Sequence, residues 1–217
     1  MTTAELASRL RLIVITDRDA AAPRSIAEVV ELALRAGAPA IQLRDKTASA
    51  RELYQTGREL LPLVRAAGAL FFVNDRVDVA LALGADGAHV GPDDLAVRSL
   101  RPAVPRDFLI GTSSDNPAQA QALIADGASY IGCGTVYPTT TKPDAGEVLG
   151  LEGLDRVARR VDAPVVGIGG VTPEQAAHVA GTAASGVAVV AAVMTARDVG
   201  EAVSKLLKPW SHTTDGE

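Results

Sequence analysis

A single cysteine rules out an internal disulfide and suits a reducing compartment. Aromatic residues are only 3% of the 217 positions, against 47% hydrophobic overall, so the core has to be built from Ala, Val, Leu and Ile. Small aliphatic side chains favour close helix–sheet packing, and the length suffices for one large domain or two small ones. No apolar run approaches the ~18 residues of a membrane span, and no apolar stretch of signal length opens the chain. A net charge of −5 without any basic run argues against nucleic acid or a membrane surface as partner. The expectation is a soluble cytoplasmic protein. Common catalytic spacings are missing as well. There is no HxxE or CxxC, Gly167-Ile168-Gly169-Gly170 lacks the spacing of a dinucleotide fingerprint, and Cys133 has no histidine at motif spacing to activate it. His89 sits between small residues and reads as a core histidine, while His178 lies in a helix and His212 in the tail.

What is present is alternation. Short β-branched or small-residue runs at 12–16, 40–44, 70–74, 87–90, 109–113, from Tyr130 onward, 164–170 and 186–193 read as strands. Between them come helical patterns: from Ser25 to Gly37, 49–67, Val77 to Leu83, 95–102, a helix opened by Asn116-Pro117, Leu151 to Val161, one capped by Thr172-Pro173, and 198–208. No linker or composition break interrupts the series. Strict β–α alternation requires a parallel sheet, and eight units match a single (β/α)₈ barrel over about residues 10–208, with a polar tail at 209–217. An open doubly wound sheet is the competitor, but such sheets usually stop at about five or six strands.

Barrel enzymes carry their sites at the C-terminal ends of strands. Polar residues gather there on strand after strand: Asp17; Gln42, Arg44 and Lys46; Asn74 and Asp75; Asp94; Ser113; then Thr139, Thr141 and Lys142; and the Gly169-Gly170 pair. Arg44 alternates with outward apolar residues, so its guanidinium should point into the barrel mouth, where it needs an anion. That anion is either a substrate or a structural partner such as Asp75. Asp75 and Asp94 sit on neighbouring strand ends and suit one hard cation completed by phosphate oxygens and water, an arrangement typical of Mg²⁺. A helix N-cap is the competing role for Asp94, with Asp93 the alternative cap. The Tyr130–Lys142 stretch starts as a glycine-broken strand, is stopped by Pro138 and ends in hydroxyls and an ammonium, the donors that a phosphate requires. Gly170 and the backbone of Val190 and Ala191 offer a second, glycine-rich anion site of the kind barrels build after strands seven and eight. Two phosphorylated substrates, one of them a diphosphate, would fill two such subsites.

These motifs together, QLRDK (42–46), VNDRVDVALALGADGAHVGPDD (73–94), IGTSSDN (110–116), YPTTTK (137–142) and VVGIGGVTPEQA (165–176), resemble the thiamine-phosphate synthase family, in order, from about residue 10 to 195. The resemblance implies a barrel transferase that joins a pyrimidine methyl diphosphate to a thiazole ethyl phosphate with Mg²⁺. It implies Gln42, Arg44, Lys46 and Asn74 on the pyrimidine diphosphate, and Asp75 and Asp94 on Mg²⁺. Ser113 and Lys142 would assist the leaving diphosphate, while Thr139, Thr141, Gly170, Val190 and Ala191 would hold the thiazole phosphate. Three positions depart from the family pattern. Pro92 stands where a glutamine is common, Asp115 where a histidine is common, and Ala191 where a serine is common, the last costing roughly 1 kcal/mol of phosphate affinity. Two rivals are a related thiazole tautomerase, which uses a histidine near position 115, and a non-catalytic barrel sensing phosphorylated thiazole or thiamine phosphate. Whether the chain works alone or as a homo-oligomer is not encoded legibly, and the segment after Lys142 is the expected lid.

Overall fold

A computed structural model of the chain describes residues 1–139 and 147–211. Eight parallel strands close into a barrel in sequence order: β1 Leu12–Ile15, β2 Ala40–Leu43, β3 Leu70–Asn74, β4 Gly87–Val90, β5 Leu109–Ser113, β6 Tyr130–Cys133, β7 Val165–Ile168 and β8 Gly186–Val189. The ring is shut by β8 pairing with β1, Leu12 opposite Val187 and Val14 opposite Val189. No helix among the described residues is long and apolar enough to cross a membrane.

Strand residues alternate between two apolar clusters, as a period of two dictates. Val14, Ile41, Leu43, Phe71, Val73, Ile131 and Cys133 face the helices. Ile13, Ile15, Ala40, Leu70, Phe72, Tyr130, Val166 and Ala188 face the lumen. The bottom of that inner cluster is completed by Leu6 and Leu10, from a helix Thr3–Arg9 and its C-cap. Burying each leucine contributes roughly 2 kcal/mol of transfer free energy. The sequence reading has no element here. The signal was the capping box in which Thr2 and Glu5 each bond the other's backbone N–H.

The outer helices start where their caps dictate. Ser25 with Glu28, and Ser49 with Glu52, form capping boxes for the helices Ile26–Arg35 and Ala50–Ala66. Asn116 Oδ1 accepts from the N–H groups of Ala118 and Gln119 and opens Pro117–Ala125, as expected. Asp17 likewise caps a short helix Arg18–Ala21 that the sequence did not reveal.

Two expectations fail. Thr172 caps nothing: its N–H donates to Gln175 Oε1, and the helix begins at Ala176. The last strand ends at Val189, and Ala191–Met194 is a helical turn. At the C-terminus the packed body runs as far as Trp210, whose side chain is buried in the outer core.

Candidate active site

The exits of β2, β3 and β4 meet at one side of the rim. Gln42 is buried inside the lumen, Arg44 is half-buried just past the strand, and Lys46 is exposed. The loop between these cations is pinned by Asp45, whose carboxylate accepts from Thr47 N, Thr47 Oγ1 and Ala48 N at 3.0 Å each and pairs with Arg18 at 2.9 Å. Burial tends to raise the Asp45 carboxyl, but the Thr47 and Ala48 hydrogen bonds outweigh it and hold it below its ordinary range. Sequence reasoning passed over Asp45. The signal was an aspartate two and three residues before the N–H groups it holds, an Asx turn.

Asp75 follows β3 with φ = 61°, the one non-glycine residue among those described with positive φ. Its N–H donates to His89 O on β4 at 2.8 Å, which fixes the turn. A left-handed aspartate costs on the order of 1 kcal/mol, and strain held at a strand end of a barrel points toward function. Asp94 closes a turn back on Gly91, accepting from Gly91 N at 2.8 Å. It is not a helix cap, and neither is Asp93: the following helix, Val97–Leu100, has Ala96 at its N-cap position and no side-chain cap. The turns bring the two carboxyls close to one another. Burial, then the charge of Asp94, raises the Asp75 carboxyl, while Lys46 and Arg44 nearby pull it back down. Neither cation forms an ion pair with a carboxylate among the described residues, so the structural bridge between Arg44 and Asp75 is not made. Two carboxylates and two cations therefore converge without neutralising one another. Among the described residues no cluster of three or more His, Cys, Asp and Glu exists, so any cation here draws on carboxylate oxygens from these two aspartates.

Ser113, at the end of β5, lies next to this group. His89 Nε2 is 2.9 Å from Ser113 Oγ and its Nδ1 is 3.1 Å from the Tyr130 hydroxyl. The expected core histidine is therefore a lumen histidine wedged between two hydroxyls. Cys133 points the other way, into the helix layer, and burial followed by the Asp115 charge pushes its thiol up to about 12, which leaves it inert.

On the opposite side, the exits of β6 and β7 run together. Val136 N donates to Ile168 O at 2.9 Å and Tyr137 N to Gly169 O at 3.0 Å. This zipping brings Gly170 against the backbone that leads to Thr139. A β-carbon on Gly170 would sit 2.4 Å from Pro138 O and 2.6 Å from Tyr137 O, and its φ is +65°. β8 pairs with β7 through Ala188 and Ile168, and Val190 and Ala191 follow directly at the exit of β8, on the same side of the rim as Gly170. Gly170→Ala is expected to destabilise the fold by roughly 2 kcal/mol in urea unfolding. A loss below about 0.5 kcal/mol would show that the two exits separate freely. Thr141, Lys142 and the expected lid after Lys142 lie outside the described residues. The structure thus brings Gln42, Arg44, Lys46, Asn74, Asp75, Asp94 and Ser113 to one side of the rim, and Thr139, Gly170, Val190 and Ala191 to the other.

The model of a family described as thiamine monophosphate synthase matches residues 12–193. The thiamine-phosphate synthase of Roseiflexus castenholzii is 51% identical over 185 residues, covering 85% of this chain and 81% of the relative. That of Pyrococcus furiosus is 45% identical over 203 residues, covering 94% and 96%. The solved thiamine phosphate pyrophosphorylase of Pyrococcus furiosus superposes with a TM-score of 0.86 at 44% identity, covering 94% of this chain and 96% of its own.

Proposed function

The chain belongs to the thiamine monophosphate synthase family, and from that premise we propose that it condenses a pyrimidine methyl diphosphate with a thiazole ethyl phosphate, giving thiamine phosphate and diphosphate. It is a transferase. The observation that carries the choice of this rim is the convergence of Asp75 and Asp94 with Arg44 and Lys46, none of which is held in an ion pair among the described residues. As a biosynthetic enzyme with one cysteine, it works in the cytoplasm.

Gln42 and Asn74 orient the pyrimidine, and Arg44, Lys46, Ser113 and Lys142 grip its diphosphate. Thr139 and Thr141, with the backbone of Gly170, Val190 and Ala191, hold the phosphate of the thiazole. The carbon–oxygen bond of the pyrimidine methylene breaks first, and its electron pair leaves with the diphosphate. The ring amino group delocalises the positive charge left on that carbon, and the thiazole nitrogen then donates its lone pair to form the new carbon–nitrogen bond. No proton has to move and no protein nucleophile is required, which agrees with a rim rich in cations and hydroxyls. The protein's work is to oppose charge on the leaving oxygens and to aim the acceptor.

Two hard carboxylates held close, to be completed by phosphate oxygens and water, fit Mg²⁺ better than softer metals. Bound by Asp75 and Asp94, it supplies charge neutralisation for the departing diphosphate. Incubating the purified protein with both substrates and Mg²⁺ is expected to yield thiamine phosphate and diphosphate, and EDTA should suppress both. No product with Mg²⁺ sinks the synthase reading, whereas product undiminished by EDTA removes Asp75 and Asp94 from metal binding. In the same assay Gly170→Ala should raise KM for the thiazole phosphate about tenfold and leave that for the pyrimidine diphosphate unchanged.

A further inference from the structure

The lumen holds a polar chain that the reaction described above does not use. Tyr130 is completely buried at the floor, its ring edge against Phe72 with centroids 5.5 Å apart. Its hydroxyl faces His89 Nδ1 at 3.1 Å, with the Gln42 side chain nearby. His89 Nε2 then faces Ser113 Oγ at 2.9 Å. Room for these rings is made by two glycines. A β-carbon on Gly111 would sit 2.2 Å from the Tyr130 ring, and one on Gly132 would be 3.0 Å from His89. A barrel whose interior is otherwise aliphatic apart from Phe72 carries this chain at the cost of packing.

We propose that His89 and Tyr130 are positioning residues, forming a hydrogen-bond relay from Gln42 to Ser113 that turns the Ser113 hydroxyl hydrogen toward the barrel mouth. The inference rests on the reading of Ser113 as a diphosphate contact. Set between two hydroxyls, the His89 ring in its neutral form has one N–H and one lone pair to offer them. Burial raises the Tyr130 hydroxyl, which keeps its proton. Only two self-consistent patterns remain. In one, the Gln42 amide donates to the Tyr130 oxygen, Tyr130 donates to His89 Nδ1, and His89 Nε2–H donates to Ser113 Oγ. The serine hydrogen is then free for an anion. In the other pattern every donor reverses: Ser113 donates inward to Nε2 and presents only lone pairs to the mouth. An anionic oxygen accepts hydrogen bonds and is repelled by lone pairs, so bound diphosphate selects the first pattern. It also leaves Gln42 Oε1 available to accept from the amino group of a pyrimidine. One relay thus ties recognition of the ring to the grip on the leaving group.

Tyr130→Phe deletes one hydroxyl from a packed ring and keeps its shape, so it is the variant of choice, with an unchanged thermal melt as control. It is expected to lower kcat about five- to tenfold, with KM for the thiazole phosphate unmoved. In a Ser113→Ala background the same change should have no further effect, because the relay has lost its end. Equal losses in both backgrounds, or no loss in the parent, overturn the relay. If Ser113→Ala alone turns over like the parent, the reading of Ser113 itself fails, and the relay falls with it by a separate result. Nitrogen-15 spectra of the three histidines, with His89→Gln to assign the signal, should show the Nε2–H tautomer when inorganic diphosphate and Mg²⁺ are added. An Nδ1–H tautomer under those conditions overturns the proposal without reference to activity.

Discussion

Replacing Asp75 by asparagine is expected to slow turnover by about 10³-fold and yet to raise the melting temperature of the metal-free protein by a few degrees. Asparagine accepts the left-handed backbone at φ = 61° as readily as aspartate does, so the turn that bonds His89 O survives. Alanine there would add backbone strain and confuse the two effects. What asparagine removes is a charge that burial and Asp94 both disfavour. The sign follows from the raised carboxyl: its neutral form is the one that the fold prefers, so stability is lost as pH rises through the folded pKa. The advantage of Asp75→Asn should therefore grow as pH rises above the ordinary carboxylate range and vanish below it, where both proteins are uncharged at this position. Added Mg²⁺ should narrow the gap by stabilising the parent alone. Paired melting curves across pH, with and without Mg²⁺, check this. A variant that melts below its parent at neutral pH would mean that Asp75 is a structural charge, compensated by Arg44 and Lys46.

Lys46→Ala should cost on the order of 10²- to 10³-fold in kcat, the loss typical of one preorganised group opposing transition-state charge. Stability should move by less than about 0.5 kcal/mol, because the side chain is exposed and holds no carboxylate among the described residues. The loop keeps its shape through Asp45 and the hydrogen bonds of Thr47 and Ala48. Steady-state kinetics with an unchanged circular dichroism spectrum would establish both halves. A folded variant with normal kcat and a raised KM for the pyrimidine diphosphate would instead limit Lys46 to uniform binding of that substrate.

The barrel was legible because its signals are local and repeated. Each strand is a short aliphatic run, and polar residues at its end mark the rim. Errors fall where two structures share one composition. The run Val190-Ala191-Ala192-Val193 suits a strand or a buried helical turn equally, and the chain turns helical there. Thr172 and Asp94 are both good caps by residue type, but Asp94 accepts from Gly91 N instead, and the helix after Thr172 begins only at Ala176. The charged part of the rim could be read because alternation fixes which strand residues face inward. The His89–Ser113–Tyr130 contacts could not, since they join three strands through register and the gaps left by Gly111 and Gly132. Pairwise depth in a lumen is not a local property of sequence.

Leu6 and Leu10 seal the lower end of the barrel against Phe72 and Tyr130. Among the described residues the lower end is filled, and the site opens at the rim. Both substrates enter by it, and the joined product and the diphosphate have to leave by it. A product that lingers obstructs both of its successors, so traffic through the rim belongs in the kinetics of every variant as much as bond breaking does.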